Sequence, residues 1–167
     1  MPKRHSREED RISSLPDEIL HHIFNFLLAA STVKTSFLSR RWRHVWSSSP
    51  NLHFDEYYFP FSYNEEFMIF VERVLLFSDA TNLNCVSITT RGGCDMFRVL
   101  SWIYTIMKRN VRDLTIYHQQ KELLKLPLKI FHLQSLKRLS VTSCIKDDPL
   151  PDSSYRNLEV LQLLVET

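Results

Sequence analysis

The chain has 167 residues, 44% of them hydrophobic, and 21 basic against 19 acidic side chains give a net charge of +2. That length suits one domain, or a small one plus part of another, and the near-balanced charge is unlike the strongly basic footprint of a nucleic-acid binder. The two glycines, Gly92 and Gly93, fit neither GxxxxGKS/T nor GxGxxG, which excludes a glycine-rich phosphate loop.

The opening residues, MPKRHSREEDR, lack the apolar core of a signal peptide. No uninterrupted apolar run approaches the ~18 residues of a membrane span, so no membrane partner is expected. A disordered tail is expected over residues 1–9. Within it Pro2-Lys3-Arg4 fits either part of a nuclear-import signal or a merely solvated end. Cys85, Cys94 and Cys144 are odd in number and widely spaced, with no CxxC, so no zinc site is expected. Together with the lack of an Asn-x-Ser/Thr sequon, they suit a reducing compartment, nucleus or cytoplasm.

Three short helices are predicted next. Ser14 can cap the first, Pro16 is tolerated in a first turn, and Asp17 and Glu18 complement the positive helix end. Ile19, Leu20, Ile23, Phe24 and Leu27 then recur at helical spacing. A second helix fits Ser31 to Leu38, with Val33, Phe37 and Leu38 apolar. Ser39 can cap a third, RRWRHVW, in which Trp42, Val45 and Trp46 stand at i, i+3 and i+4, with Pro50 beyond its end. Three helices in about 40 residues are at the size limit for a self-sufficient core. The surplus apolar surface predicts a partner that covers it.

The segment LPDEIL…IFNFL…TVKTSFLSRRWRHVW resembles an F-box, in the form typical of the plant F-box/leucine-rich-repeat family. The features that carry the resemblance are Leu15-Pro16-Asp17-Glu18-Ile19-Leu20, the spacing to Val33, and Leu38-Ser39-Arg40-Arg41-Trp42. The resemblance implies docking onto a Skp-family adaptor of a cullin–RING ubiquitin ligase. By position, Leu15, Pro16, Ile19, Leu20, Val33, Leu38 and Trp42 become the adaptor-facing residues. Leu38 and Trp42 fall near the boundary of core and interface, and Trp42 and Trp46 fit either. The family places a proline after the first helix, where this chain has Leu28-Ala29-Ala30-Ser31. Without it the helix is expected to run on through Ala30, because alanine favours helix.

Residues 51–82 read as a connector and a helix. A short strand is expected near Leu52–Phe54, and a helix begins at Asn64 with Phe67, Val71, Val74 and Leu75 as its apolar stripe. From Leu83 the chain repeats itself: LNCVSI, VRDLTI, LKRLSV and LEVLQL begin at Leu83, Val111, Leu136 and Leu158. Each has the form apolar-x-x-apolar-x-apolar. The intervals lie inside the roughly 20–29-residue period of leucine-rich repeats. The first interval holds a helix, Phe97 to Arg109, with Phe97, Leu100, Ile103, Tyr104 and Met107 expected inside. The second holds LPLKIFHL, read as a turn of helix or 3-10 helix. Alternation along each strand sends Val86/Ile88, Leu114/Ile116, Leu139/Val141 and Leu161/Leu163 inward. It sends Asp113, Thr115, Tyr117, Arg138, Ser140 and Thr142 outward as candidate target-binding residues, together with Ser87, Thr89 and Gln162. Leu161, Leu163, Leu164 and Val165 lack a successor to cover them, so a truncated or unusually short member is expected.

No catalytic or metal-ligating set stands out. His21-His22 has no carboxylate or cysteine at ligand spacing, the cysteines read as small apolar residues, and HExxH and GxSxG are absent. No enzyme activity, cofactor or metal is expected. The basic stretch RRWRHVW could meet phosphates, but its tryptophans sit at core spacing, so no nucleic-acid partner is expected. The expected fold is α+β: an F-box helical domain over residues 10–50, then an irregular α/β leucine-rich-repeat solenoid of about four repeats over 83–167, incomplete at the C-terminus. The expected function is substrate recognition for a cullin–RING (SCF-type) ligase, with the repeats binding an unknown target protein. Two alternatives stay open: a repeat scaffold without a ligase role, and a shortened member that only occupies the adaptor.

Overall fold

In the computed structural model, which describes residues 11–59, 64–91, 93–119, 124–142, 144–145 and 157–164, the first helix starts where a proline has already set the backbone. Pro16, with φ −57° and ψ 152°, immediately precedes α1 (Asp17–Phe24). Its carbonyl accepts from the amides of Ile19 and Leu20, both at 3.1 Å. Ser14 is not the cap. Its hydroxyl donates instead to the Arg11 carbonyl at 2.7 Å, and no side chain caps α1. The tail at 1–9 and Val165 lie outside the described residues.

α1 does not run on through Ala30. It ends at Phe24, and Leu28 adopts φ −67° and ψ 149° as the cap of α2 (Ala29–Lys34). The φ is one a proline ring would fix, so the leucine makes the same break without the ring. Packing explains why alanine's helix preference loses. Leu20 and Phe24 join Trp42 and Val45 in one small cluster, whereas Ala29 belongs to the large core. The chain must bend between the two, and a propensity of tenths of a kcal/mol per residue cannot prevent it. A 3-10 turn, Thr35–Phe37, follows α2. Ser39 caps α3 (Arg40–Ser47), its hydroxyl accepting the Trp42 amide at 3.4 Å.

The rest is built on five parallel strands: β1 (Asn51–Asp55), β2 (Cys85–Thr90), β3 (Asp113–His118), β5 (Arg138–Thr142) and β7 (Val160–Leu164), adjacent in that order. A minor parallel pair, β4 (Leu124–Lys125) with β6 (Cys144–Ile145), stands apart. The register places Val86 beside Leu114, Leu114 beside Leu139 and Leu139 beside Leu161. These are the offsets of the sequence repeats. β1 adds a further strand, Leu52 beside Val86, that the repeat comparison does not contain. Alternation holds: Leu52, Phe54, Val86, Ile88, Leu114, Ile116, Leu139 and Val141 are buried, and Leu161 and Leu163 are half-buried.

Two helices cover the inner face, α4 (Asn64–Phe77) after β1 and α5 (Met96–Met107) after β2. A 3-10 turn, Leu128–His132, serves after β3. Phe67, Val71, Val74 and Leu75 of α4 are buried as expected. α5 keeps part of its expected stripe: Ile103 and Met107 are buried and Leu100 half-buried, but Phe97 and Tyr104 are exposed, and Val99, Trp102 and Ile106 are buried in their place. Nearly all of MFRVLSWIYTIM is apolar, so two overlapping stripes compete. The inward one carries Trp102, whose ring meets Phe67 edge-on at 6.4 Å. Arg109 holds the end of α4, donating to the carbonyls of Leu75 and Ser78. Gly93, at φ 115°, passes so near α4 that a Cβ there would lie 2.0 Å from Asn64 Nδ2. Among the described residues no helix is long and apolar enough to cross a membrane.

The helical trio is not a separate body. Ala29 lies in the large core, Val33 and Trp46 pack against it, and α2 sits on β1. Across residue 50, the Asp79 amide donates to the Ser47 carbonyl at 2.7 Å and the Asn84 amide to the Pro50 carbonyl at 2.8 Å.

Candidate docking face

The seven residues expected to face an adaptor divide by burial. Leu20 is 1% exposed and Trp42 6%, both in the trio's own cluster with Phe24 and Val45. These two are not surface residues: they are the packing that holds α1 against α3. The Phe24 and Trp42 rings lie 6.1 Å apart at 41°. Leu15 is half-buried at the margin of that cluster, and Val33 is half-buried against the large core. Pro16, Ile19 and Leu38 are exposed. The structure adds four exposed apolar side chains to them: Ile12, Ile23, Phe26 and Phe37, the last 88% exposed.

α1 explains why the additional residues were not separable in the sequence. Its apolar arc is wider than one packing partner can cover. Leu20 and Phe24 turn inward, while Ile19 and Ile23 lie about 100° round the axis and remain bare. In the turn after α1, Leu27 packs against the small cluster and Phe26 is exposed. The exposed positions of the 3-10 turn end, Phe37 and Leu38, have no sequence signal that sets them apart from Val33. Only the placement of α2 on β1 does so.

Polar contacts fix the corner ahead of α1. The Arg41 guanidinium on α3 donates to the carbonyls of Ser13 and Leu15 and, at 2.6 and 3.1 Å, to Asp17 Oδ1. Trp42 Nε1 donates to Ser13 Oγ at 2.9 Å. His21 Nε2 stands 2.9 Å from the Val45 carbonyl and so links α1 to α3. His22 is exposed, its ring edge-on to Phe26 at 5.5 Å. On the outer side of α3, Arg40, Arg43 and His44 are exposed beside Arg41.

The candidate target-binding residues sit on the sheet's outer face as three lateral pairs: Asp113 with Arg138, Thr115 with Ser140, and Tyr117 with Thr142. An ion pair joins the first. His53 and Ser87 extend the middle row, their Nδ1 and Oγ 2.8 Å apart, and burial pushes the His53 pKa down. Cys85 borders Asp113 across the strands. Its thiol pKa is raised by burial and by Asp113, against an opposing effect of Arg138. Cys94 is buried, and burial with the neighbouring Glu56 carboxylate pushes its thiol up to about 12, which disfavours a thiolate nucleophile. Among the described residues no group of three or more His, Cys, Asp or Glu could hold a metal ion.

The trio forms one helical unit packed on the strand array, and residues 12–54 match the F-box domain family. That span reaches into β1, four residues past the expected boundary at 50. Several Arabidopsis thaliana proteins are similar over most of the chain. The F-box/LRR-repeat protein At4g14103 is 34% identical over 78% of it, the F-box protein At3g59000 37% over 64%, and the F-box/LRR-repeat protein At4g14096 34% over 79%. The chain belongs to the plant F-box protein family. It spans 36%, 24% and 29% of the length of these three relatives. No solved structure matches it.

Proposed function

We propose that this chain is a substrate-recruiting subunit of a cullin–RING ubiquitin ligase in the nucleus or cytoplasm. The trio docks on a Skp-family adaptor, and the strand array, a short leucine-rich-repeat solenoid, presents its outer face to a target protein. The chemistry belongs to other subunits. This chain supplies proximity, which makes a bimolecular encounter nearly intramolecular. The observation that carries the proposal is the bare apolar surface of the trio: Ile19 and Ile23 on α1, Phe26 in the turn after it, and Phe37 and Leu38 beyond α2. Monomeric proteins seldom leave so many large apolar side chains exposed together in one short segment. The buried Leu20–Phe24–Trp42–Val45 cluster beneath them makes the surface rigid.

The test is capture of a purified Skp-family adaptor by the chain and by a Phe37→Asp, Leu38→Asp double variant. Both positions are exposed, so the fold is expected to survive. Loss of large apolar anchors at such an interface costs about 2 kcal/mol or more each, and capture is expected to vanish. Capture equal to wild type would remove the docking assignment.

A scaffold without a ligase role is the second reading, and one observation favours it. Ala29, Val33 and Trp46 cover the first strand's side of the core, so the trio also works as the array's N-terminal cap. Capping accounts for α2 and Trp46 but not for the outer stripe of α1 or for Phe37. A folded chain that ignores every Skp-family adaptor would favour the scaffold.

A further inference from the structure

We propose that Arg41 is a positioning residue: it preorganises the Leu15-Pro16 corner for adaptor docking by fanning its guanidinium across residues 13, 15 and 17. The proposal rests on the docking reading above and adds a residue to it that makes no adaptor contact of its own in this role.

The corner needs such a device. Residues 11–16 precede α1, and Pro16 has no N–H with which to continue a hydrogen-bond ladder. Within the corner the Leu15 amide donates to the Ile12 carbonyl at 3.1 Å and the Ser14 hydroxyl to the Arg11 carbonyl at 2.7 Å, short-range links that do not tie it to α3. A corner not fixed against α3 would have to be placed when the adaptor arrives, and ordering on binding weakens affinity. Arg41 ties the corner down from a different helix. Nη1 donates to the Ser13 carbonyl, Nη2 to the Leu15 carbonyl, and Nη2 and Nε both to Asp17 Oδ1. Alternate residues of the corner are thus tied to one rigid plane on α3. Next to it, Trp42 is itself buried and adds the Nε1 bond to Ser13 Oγ.

Fold stability does not account for the arrangement. Arg41 and Asp17 are each 41% exposed, and ion pairs at such exposure contribute little to stability. What the fan does is geometric. It sets where Pro16 and Ile19, both exposed, stand relative to α3 and to Leu38 beyond it. Lysine could not replace it, because a single ammonium on a flexible stem lacks the planar fork of donors.

The experiment compares adaptor affinity and amide hydrogen exchange for the full chain, Arg41→Met, Arg41→Lys and Asp17→Asn. Arg41→Met and Arg41→Lys are both expected to bind the adaptor about tenfold more weakly. In the free chain they are expected to exchange faster across residues 12–17, with the melting temperature unchanged. Asp17→Asn, which removes one acceptor's charge, is expected to show the same two effects to a smaller degree. It also replaces Arg41→Met as the test should that variant fail to fold. Wild-type affinity in Arg41→Met or in Arg41→Lys overturns the proposal. So does weakened binding without faster exchange, which would mean that Arg41 touches the adaptor directly. A wild-type chain that captures no adaptor overturns the docking reading itself, and this inference with it.

Discussion

Ile19 and Leu20 are adjacent and chemically alike, yet one is 47% exposed and the other fully enclosed. A step of 100° along a helix is enough to move a side chain from a packed face to a bare one. Burial alone therefore assigns their roles: truncating Leu20 would empty the cluster under α1, while altering Ile19 would change only what a partner meets. Histidines show a second consequence of placement. His118 is buried on β3, its Nδ1 2.7 Å from Thr90 Oγ1, and burial holds its pKa below the usual 6.5, as it does for His53. A lowered folded-state pKa means that the folded chain binds fewer protons than the unfolded chain once pH falls below about 6.5. Stability should be full above that value and decline as pH drops towards the folded pKa values. We expect a lower urea midpoint at about pH 5.5 than at about pH 7.5. His118→Asn, which cannot titrate, should fall less over the same interval. A midpoint that does not move, or that rises on acidification, would contradict the burial argument.

Among the elements, the break between α1 and α2 is the most instructive. Leu28 already has the φ of a proline. Its carbonyl accepts from the Ser31 and Thr32 amides at 2.9 and 3.0 Å, and a proline would keep that carbonyl. Leu28 belongs to neither apolar cluster. Leu28→Pro should therefore be tolerated and should stabilise by about 0.5 kcal/mol, through reduced freedom of the unfolded chain. Equilibrium urea unfolding measures this, and a loss exceeding about 1 kcal/mol would mean that the leucine side chain matters more than its backbone. α5 carries the opposite lesson. Its apolar residues encircle much of the helix, so periodicity admitted two phases, and packing of Trp102 against Phe67 selected one. The exposed Phe97 and Tyr104 are what the other phase would have buried.

For the whole molecule, the same forty residues carry both a packed side and a bare apolar side. α2 and Trp46 close the β1 side of the core, while the outer side of α1 and the end of the 3-10 turn stay bare. A chain beginning at Asn51 would leave the β1 side open, with Leu52 and Phe54 losing the neighbours that Ala29, Val33 and Trp46 provide. We expect such a fragment to lose cooperative thermal unfolding, as followed by far-ultraviolet circular dichroism. A sharp transition like that of the full chain would show that the strand array needs no cap from the trio. Repeat arrays require terminal units that differ from the interior ones, and a fragment without the trio tests whether it acts as such a unit at the β1 end.

Periodicity and turn chemistry were enough to read the five strands of the main sheet and most helices from residues alone, but not the minor β4–β6 pair. Val86, Leu114, Leu139 and Leu161 announce their stacking by spacing, and Ser39 announces α3 by its hydroxyl. The pattern of Leu-Pro-Asp-Glu ahead of an apolar helix, followed by Arg-Arg-Trp, was likewise sufficient for the family. These signals recur as repeated or fixed patterns of residues along the chain, whereas the Arg41 contacts have no such repeated pattern behind them. The tertiary structure decided which side of each apolar helix turns inward, that Leu20 and Trp42 are support rather than surface, that Phe37 is bare, and that Arg41 reaches back to Ser13 and Leu15. Such choices depend on groups 24 to 28 residues apart meeting in space, and no spacing rule encodes a contact between side chains whose separation is set by the path of the whole chain.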